Sequence, residues 1–244
     1  QAMAMTRRGI LGLGLGARAA PRMAQAQVAS ATVVELFTSQ GCSSCPPADQ
    51  LLARLCAEKN LIALTYNVDY WDYLGWQDSL ARPEFSERQK AYARARGDAD
   101  VYTPQLVING LVHVPGNDET MVRAAIATAQ TQSLPVSLSL AREQDALVIE
   151  AGPGAQVKGA SLVLVPFAEE VSVTISRGEN NGQAITYHHV AKRLIPAGLW
   201  QGKPVRLALP AGDVMGEKPC DCVALLQAET GGAILGAARL NAAL

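Results

Sequence analysis

Two short apolar runs rich in β-branched residues, 31–38 and 61–69, stand on either side of a segment with helical hydrophobic spacing at 46–58. A strand, a helix and a second strand of these lengths are typical of a unit whose two strands run parallel. A charged amphipathic segment at 83–96 predicts a further helix. The first part of the chain therefore has the pattern of an α/β domain.

The pattern continues to about residue 131. The segment 103–110 predicts a third strand that ends in the turn-forming pair Asn109-Gly110, and 111–114 predicts the strand that returns from it. A helix is expected over 118–130 because Asp118 is a suitable N-cap. We expect these elements to complete one domain.

After Ser133-Leu134-Pro135 the spacing of apolar residues changes from helical to alternating. No helix is predicted after residue 131, and Gly/Pro-rich segments, including 196–204, are expected to be turns. The predicted strands are 136–140, 146–152, 160–167, 171–175, 205–209, 222–228 and 232–240. Regular strands without helices favour an all-β sandwich of immunoglobulin-like architecture. The predicted domains are therefore 31–132, with a helical insertion, and 133–244.

The first thirty residues differ from the rest. Arg7-Arg8 precede a short Gly/Leu-rich stretch, and small residues surround Ala24 to Ala26. This order indicates an export signal of twin-arginine type, with a disordered N-terminus as the alternative. The stretch is too short and too rich in glycine to span a bilayer. We therefore predict a periplasmic or secreted protein without a stable membrane span.

The formal charge is -1 over 244 residues, so the whole chain has no electrostatic attraction for nucleic acid or anionic membranes. Nucleotide and phosphate-binding glycine motifs are missing, and we predict no cofactor. In an oxidising compartment, five cysteines leave at least one thiol unpaired. Cys56 is the expected free thiol, since it lies on the apolar face of the predicted helix.

The candidate chemistry lies in Cys42-Ser43-Ser44-Cys45, directly after the first strand and before the first helix. Free N–H groups and partial positive charge at a helix N-terminus stabilise a thiolate, which is the attacking species in disulfide exchange. We predict Cys42 as the nucleophile and Cys45 as the thiol that resolves the mixed disulfide. Pro46 and Pro47 place the helix start at Cys45 or Pro46, so Cys42 would lie just outside the helix.

Two other interpretations of Cys42 and Cys45 stay open. The pair could be a structural disulfide, or half of a zinc site completed by Cys220-Asp221-Cys222 and His188-His189. Nothing in the sequence places those segments near Cys42, and adjacent histidines on a strand point to opposite faces. The alternative for Cys220 and Cys222 is a set of unpaired thiols or a strained local disulfide.

The aromatic segment after the second strand supplies further candidates. Asp69 or Asp72 could move protons for Cys45, although a capping role is the simpler interpretation. The aromatic residues of 70–76 favour a plug between the two domains over the wall of a substrate groove. The hairpin predicted over 176–190 is expected to reach the first domain beside Cys42.

Five segments carry a resemblance to known proteins: ELFTSQGCSSCPPAD, VDYWDYLGW, PEFSERQKAY, TPQLVING and GENNG. They resemble a domain-of-unknown-function family of secreted bacterial proteins, and residues 31–131 look like a thioredoxin fold. That resemblance implies a cis Thr103–Pro104 bond against the dithiol, with the backbone before it pairing with a substrate chain. The family resemblance implies fold and export and supplies no activity.

These observations favour an exported thiol–disulfide oxidoreductase acting on protein thiols and disulfides of the cell envelope. Its predicted catalytic residues are Cys42, Cys45, Thr103 and Pro104. The alternatives are a non-catalytic binding module with a structural Cys42–Cys45 disulfide, or a protein that handles copper or zinc. The resemblance implies that a reactive disulfide would have Thr103-Pro104 beside it, whereas a structural disulfide needs no such neighbour.

Overall fold

The computed structural model describes residues 31–154, 159–216, 220–228 and 232–240. The predicted export signal in residues 1–30 lies outside these ranges. Within them, no helix combines the length and hydrophobicity that a membrane span needs.

The elements predicted before residue 131 are present, with ends that shift by at most two residues. They are β1 (Thr32–Thr38), α1 (Pro46–Cys56), β2 (Leu61–Asn67), α2 (Pro83–Arg96), β3 (Gln105–Ile108), β4 (Val112–Pro115) and α3 (Glu119–Ala129). Asn109 and Gly110 both have positive φ, as the predicted two-residue turn between β3 and β4 requires. The Asp118 side chain accepts a hydrogen bond from the Met121 N–H and caps α3.

The second half contains the expected strands and two unexpected elements. The strands are β5 (Leu138–Glu143), β6 (Ala146–Ala151), β7 (Ala160–Thr174), β8 (Ala184–Ala191), β9 (Ile195–Trp200), β10 (Val205–Pro210), β11 (Asp221–Ala228) and β12 (Ile234–Arg239). The predicted strands 160–167 and 171–175 are one continuous strand, β7. The segment predicted as a turn at 196–204 contains most of β9, and a short helix, α4 (Ala211–Met215), follows β10.

The prediction of a thioredoxin-like α/β domain followed by an all-β, immunoglobulin-like sandwich is wrong. The described chain is mostly β, and strands from both halves form one nine-stranded mixed sheet in the order β12-β11-β7-β8-β2-β1-β3-β4, with β9 beside β7. Strands β10, β6 and β5 form a separate three-stranded sheet. Hydrophobic alternation specifies a strand and one buried face, but it does not specify which strand lies alongside.

The two halves join where β8 lies parallel to β2. Thr65 pairs with Val190, and the Thr65 hydroxyl donates a hydrogen bond to the His188 carbonyl at 2.7 Å. One hydrophobic core combines side chains of β1 and β2, such as Phe37 and Tyr66, with Phe167 and Val223 from the second half. The predicted boundary at residue 133 lies between α3 and β5, and its status as a division between folding units stays a prediction.

A buried ion pair attaches α2 to this sheet. Arg88 Nε lies 2.8 Å from Glu35 Oε1, with both side chains almost fully buried. The Arg88 guanidinium also donates to the Tyr92 hydroxyl and to the Gln227 side chain of β11, and Tyr92 donates to Glu35. Because buried charges require compensation, these hydrogen bonds satisfy the pair inside the core.

Candidate functional site

The cysteine pair lies in the loop that leads from β1 to α1. Cys42 and Cys45 form a disulfide, with their Cα atoms 5.4 Å apart. The Cys45 N–H donates to the Cys42 carbonyl at 3.2 Å, and the Cys45 carbonyl accepts from the N–H groups of Ala48 and Asp49. Helix α1 begins at Pro46, as predicted, because prolines without N–H groups suit a first turn. Cys42 therefore lies just outside the helix.

The disulfide is buried beneath an exposed dipeptide. Cys42 and Cys45 are 1% and 0% exposed, whereas Ser43 and Ser44 between them are exposed. The Ser44 hydroxyl lies 3.4 Å from Cys42 Sγ. A partner sulfur can therefore reach Cys42 only after the residues that surround the loop move.

Gln40, which is fully buried, fixes the loop on one side. Its backbone N–H donates to the Asp78 carboxylate at 2.8 Å, and its side-chain oxygen accepts from Trp76 Nε1 at 2.8 Å. Asp78 also accepts from Asn67 at the end of β2. Burial raises the pKa of Asp78, although these hydrogen bonds to its charged form oppose the shift.

The loop between β7 and β8, residues 175–183, covers the other side. The buried Asn180 amide donates to the carbonyls of Gln40 and Cys42, each at 2.9 Å. Glu179 accepts from the Ser43 N–H at 3.2 Å. The prediction that this hairpin borders the Cys42 site is confirmed. The hairpin also brings the Glu179 carboxylate to the backbone N–H of Ser43, the residue that follows Cys42.

Thr103 and Pro104, the residues predicted to lie against the dithiol, contact the disulfide loop through Trp71. The peptide bond between them is cis, as expected. Trp71 Nε1 donates to the Thr103 hydroxyl at 2.8 Å, and a Cβ atom built on Gly41 would lie 3.1 Å from the Trp71 Cβ. Trp71 thus connects the disulfide loop to Thr103. The catalytic roles assigned to Cys42, Cys45, Thr103 and Pro104 stay predictions.

The aspartates predicted to serve Cys45 have other partners. Asp69 accepts from the Ser86 hydroxyl, and Asp72 accepts from the Asp78 N–H. Besides Asp78, a second buried acid near the cysteines is Asp49, one helical turn after Cys45 and 3% exposed. In the sequence, Asp49 could have been recognised because it lies four residues after Cys45, at a position that helical spacing places on the buried side of α1.

Asp49 lies in a buried polar cluster that we call the Asp49 cluster, formed by Thr38, Asp49, Asn67, Asp78 and Tyr187. Within the described residues, Asn67 Oδ1 and the Tyr187 hydroxyl have no hydrogen-bond partner, and the Asp49 carboxyl and the Thr38 hydroxyl have no partner other than each other. Burial raises the pKa of Asp49 to about 8, with a smaller lowering by the Thr38 hydroxyl and a further increase from Asp78. Asp49 is therefore mostly a neutral carboxylic acid at pH 7.

The other cysteines lack the features of a reactive thiol. Cys56, Cys220 and Cys222 are free, which agrees with the expected free Cys56 and with the interpretation of Cys220 and Cys222 as unpaired. Burial raises the pKa of both Cys56 and Cys222 to about 12, and it also raises the pKa of Cys220. Thiols with such pKa values are rarely thiolates at neutral pH and so react slowly.

The residues considered for a zinc site have separate partners. His188 Nδ1 lies 3.5 Å from Glu170, and His189 Nε2 lies 3.3 Å from Glu169. Among the described residues, the group that brings three ligand-type side chains together is Asp98, Asp100 and His113. The Arg96 guanidinium hydrogen-bonds Asp98 and lowers its pKa to about 2, so this group forms an ion-pair network at the surface.

Comparison with known proteins places the chain in a family. A crystal structure of a protein from Agrobacterium tumefaciens is 39% identical, with a TM-score of 0.75 over 87% of this chain and 96% of that one. No curated protein matches the chain. The model of the family described as "Protein of unknown function (DUF1223)" matches residues 33–227. Together with the 39% identity, this match shows that the chain belongs to the DUF1223 family of proteins of unknown function.

Proposed function

We propose that this protein is an exported thiol–disulfide oxidoreductase that exchanges its Cys42–Cys45 disulfide with thiols of envelope proteins. The observation that supports the proposal most is the disulfide itself, closed between two cysteines at a helix start beneath the exposed Ser43-Ser44 dipeptide. The three remaining thiols have raised pKa values, which leaves this pair as the suitable redox centre.

The surroundings of the disulfide suit exchange with a protein partner. A partner chain that approaches the exposed Ser43 and Ser44 would also meet the β7–β8 loop, which contacts Ser43 through Glu179. The partner thiolate would attack Cys42, the more N-terminal sulfur, and Cys45 would leave. Export is part of the proposal because disulfides persist in oxidising compartments and residues 1–30 have the pattern of a signal.

The proposal predicts that a Cys45→Ala variant traps partners. Expressed in bacteria with its export signal, the variant leaves Cys42 as a free thiol that forms mixed disulfides but cannot resolve them. We expect new high-mass species on non-reducing gels of the envelope fraction, which disappear on reduction. The double variant Cys42→Ala/Cys45→Ala is the matched control. Equal trapping by that control, through Cys220 or Cys222, would disprove the site.

A second candidate function is a binding module with a structural disulfide, which the burial of Cys42 and Cys45 favours. The reduction potential of the pair separates the two functions. Dithiols that exchange have potentials between about -270 and -120 mV, whereas structural disulfides lie below about -300 mV. Equilibration with glutathione or dithiothreitol measures this reduction potential, and we expect a value between about -270 and -120 mV. A value below that range favours the binding module.

A further inference from the structure

Glu179 places an exposed negative charge at the edge of the disulfide. Its carboxylate accepts a hydrogen bond from the Ser43 N–H at 3.2 Å, and Ser43 directly follows Cys42. Four covalent bonds separate the Ser43 nitrogen from Cys42 Sγ, which keeps these two atoms within about 5 Å of each other. The carboxylate oxygen therefore lies within about 8 Å of the sulfur that a partner would attack.

The β7–β8 loop holds this carboxylate in place. Asn180, the residue after Glu179, is 1% exposed and donates to the carbonyls of Gln40 and Cys42. The Gln183 amide donates to Asn180 Oδ1 at 3.2 Å, which fixes the orientation of the Asn180 side chain. Because the backbone next to Glu179 is attached to the disulfide loop, its carboxylate stays near Cys42 in the folded protein.

The charge of Glu179 is available to a partner. In the part of the chain that the structure describes, Glu179 makes no ion pair, and its hydrogen-bond partner is the Ser43 N–H. The disulfide loop, residues 39–45, has no charged residue of its own. Asp78 also contacts this loop but is buried, and Arg177 is the other charged residue of the β7–β8 loop. Since the whole chain has a formal charge of only -1, local charge rather than a long-range field acts on an approaching partner.

We propose that Glu179 selects partner thiols that carry a positive charge beside the reacting sulfur, such as a cysteine next to lysine or arginine. The inference rests on the proposed function, because it concerns the partner of the same disulfide. A neighbouring cation also lowers the pKa of a cysteine, so such partners are thiolates more often at neutral pH. Glu179 takes no part in the bond changes and is a specificity-determining residue.

The charge acts on the first step of exchange. The partner thiolate bonds to Cys42 Sγ, the Cys42–Cys45 bond breaks, and its electron pair leaves on the Cys45 sulfur. The partner sulfur is thereby oxidised to a mixed disulfide, and Cys45 is reduced. Glu179 repels the approaching thiolate, and a positive charge next to that thiolate replaces the repulsion with attraction. Charges about 8 Å apart interact at low ionic strength, since the screening length is about 30 Å at 0.01 M salt.

The test uses three peptides in which a cysteine is flanked by two lysines, two alanines or two glutamates. Each peptide, in excess, opens the native disulfide, and alkylation of the released Cys45 thiol gives the rate constant by mass spectrometry. Rate constants are expressed per peptide thiolate, which removes differences in peptide pKa. For the wild type at about 0.01 M salt, we expect the lysine peptide to react about tenfold faster than the glutamate peptide. At about 1 M salt the screening length is about 3 Å, and most of this preference should disappear.

Variants of Glu179 separate its charge from its structural contact. Glu179→Gln should lower the lysine-to-glutamate ratio of rate constants about threefold, and Glu179→Lys should lower it further. Glu143→Gln, which removes an exposed carboxylate from strand β5, is the matched control and should keep the wild-type ratio. A loosened loop would accelerate all three peptides alike, so the ratio reports the charge effect.

Two outcomes contradict the inference, and they differ in what else they overturn. If the disulfide reacts in the folded protein but the ratio is unchanged in Glu179→Gln and Glu179→Lys, the Glu179 inference alone is overturned. If all three peptides open the disulfide only at the rate of global unfolding, whatever their concentration, the proposed function is overturned with it.

Discussion

At the scale of single residues, Asn180 attaches the β7–β8 loop to the loop that contains the disulfide. Its buried amide group supplies both N–H donors to the loop that contains Cys42. Losing a buried donor of this kind costs about 1–3 kcal/mol, because the carbonyls lose their partner. Asn180 therefore holds the β7–β8 loop closed over the cysteine pair.

Replacing Asn180 with alanine should make the disulfide easier to reach. We expect reduction by dithiothreitol to accelerate by about tenfold, since 1.4 kcal/mol corresponds to a factor of ten in an opening equilibrium. Asn181→Ala is a matched control, because Asn181 is exposed and adjacent. Equal rates in the two variants would show that the loop does not limit access.

The sequence predicted some of these residues and missed others for physical reasons. Two features are visible within one short segment: the spacing of Cys42 and Cys45, and the two prolines that follow. The prolines also predict where helix α1 begins. Asn180 acts on a carbonyl 138 positions away, so nothing in its own segment shows its partner. Asp49 is detectable in principle, because helical spacing places this acid among the buried positions of α1.

At the scale of elements, prediction succeeded where one segment determines its own structure. Helix α2 was predicted over 83–96 and spans Pro83–Arg96, because proline at its start and glycine after its end are strong local signals. Prediction failed at β7, where a change in side-chain pattern within one strand resembled a break between two strands. It failed again at β9, whose proline and glycine resemble a turn and whose strand state depends on pairing with β7.

At the scale of the whole molecule, the sheet that continues from β2 to β8 determines the behaviour of the two halves. An isolated chain of residues 31–132 would leave β2 with an unpaired edge and would expose core side chains such as Phe37 and Tyr66, which pack with the second half. The fold class was mispredicted for the same reason, since pairing across more than 100 residues has no local signal.

We expect residues 31–132 to be much less stable than the full chain in urea denaturation, and its disulfide to react faster with small thiols. Adding residues 133–240 as a separate chain should restore part of the stability, because the same sheet can then form. Independent folding of residues 31–132 with unchanged stability and reactivity would contradict this account and would support two folding units.

The pairing of β2 with β8 also bears on the order of events during synthesis. The hydrogen bond from Thr65 to His188 spans 123 positions, so it cannot form until most of the chain has left the ribosome. Contacts this distant in sequence form late, because a long loop must close before they contribute. Cys42 and Cys45 are therefore made well before the β7–β8 loop that covers them. A newly made molecule therefore has an uncovered cysteine pair until that loop is synthesised and folds.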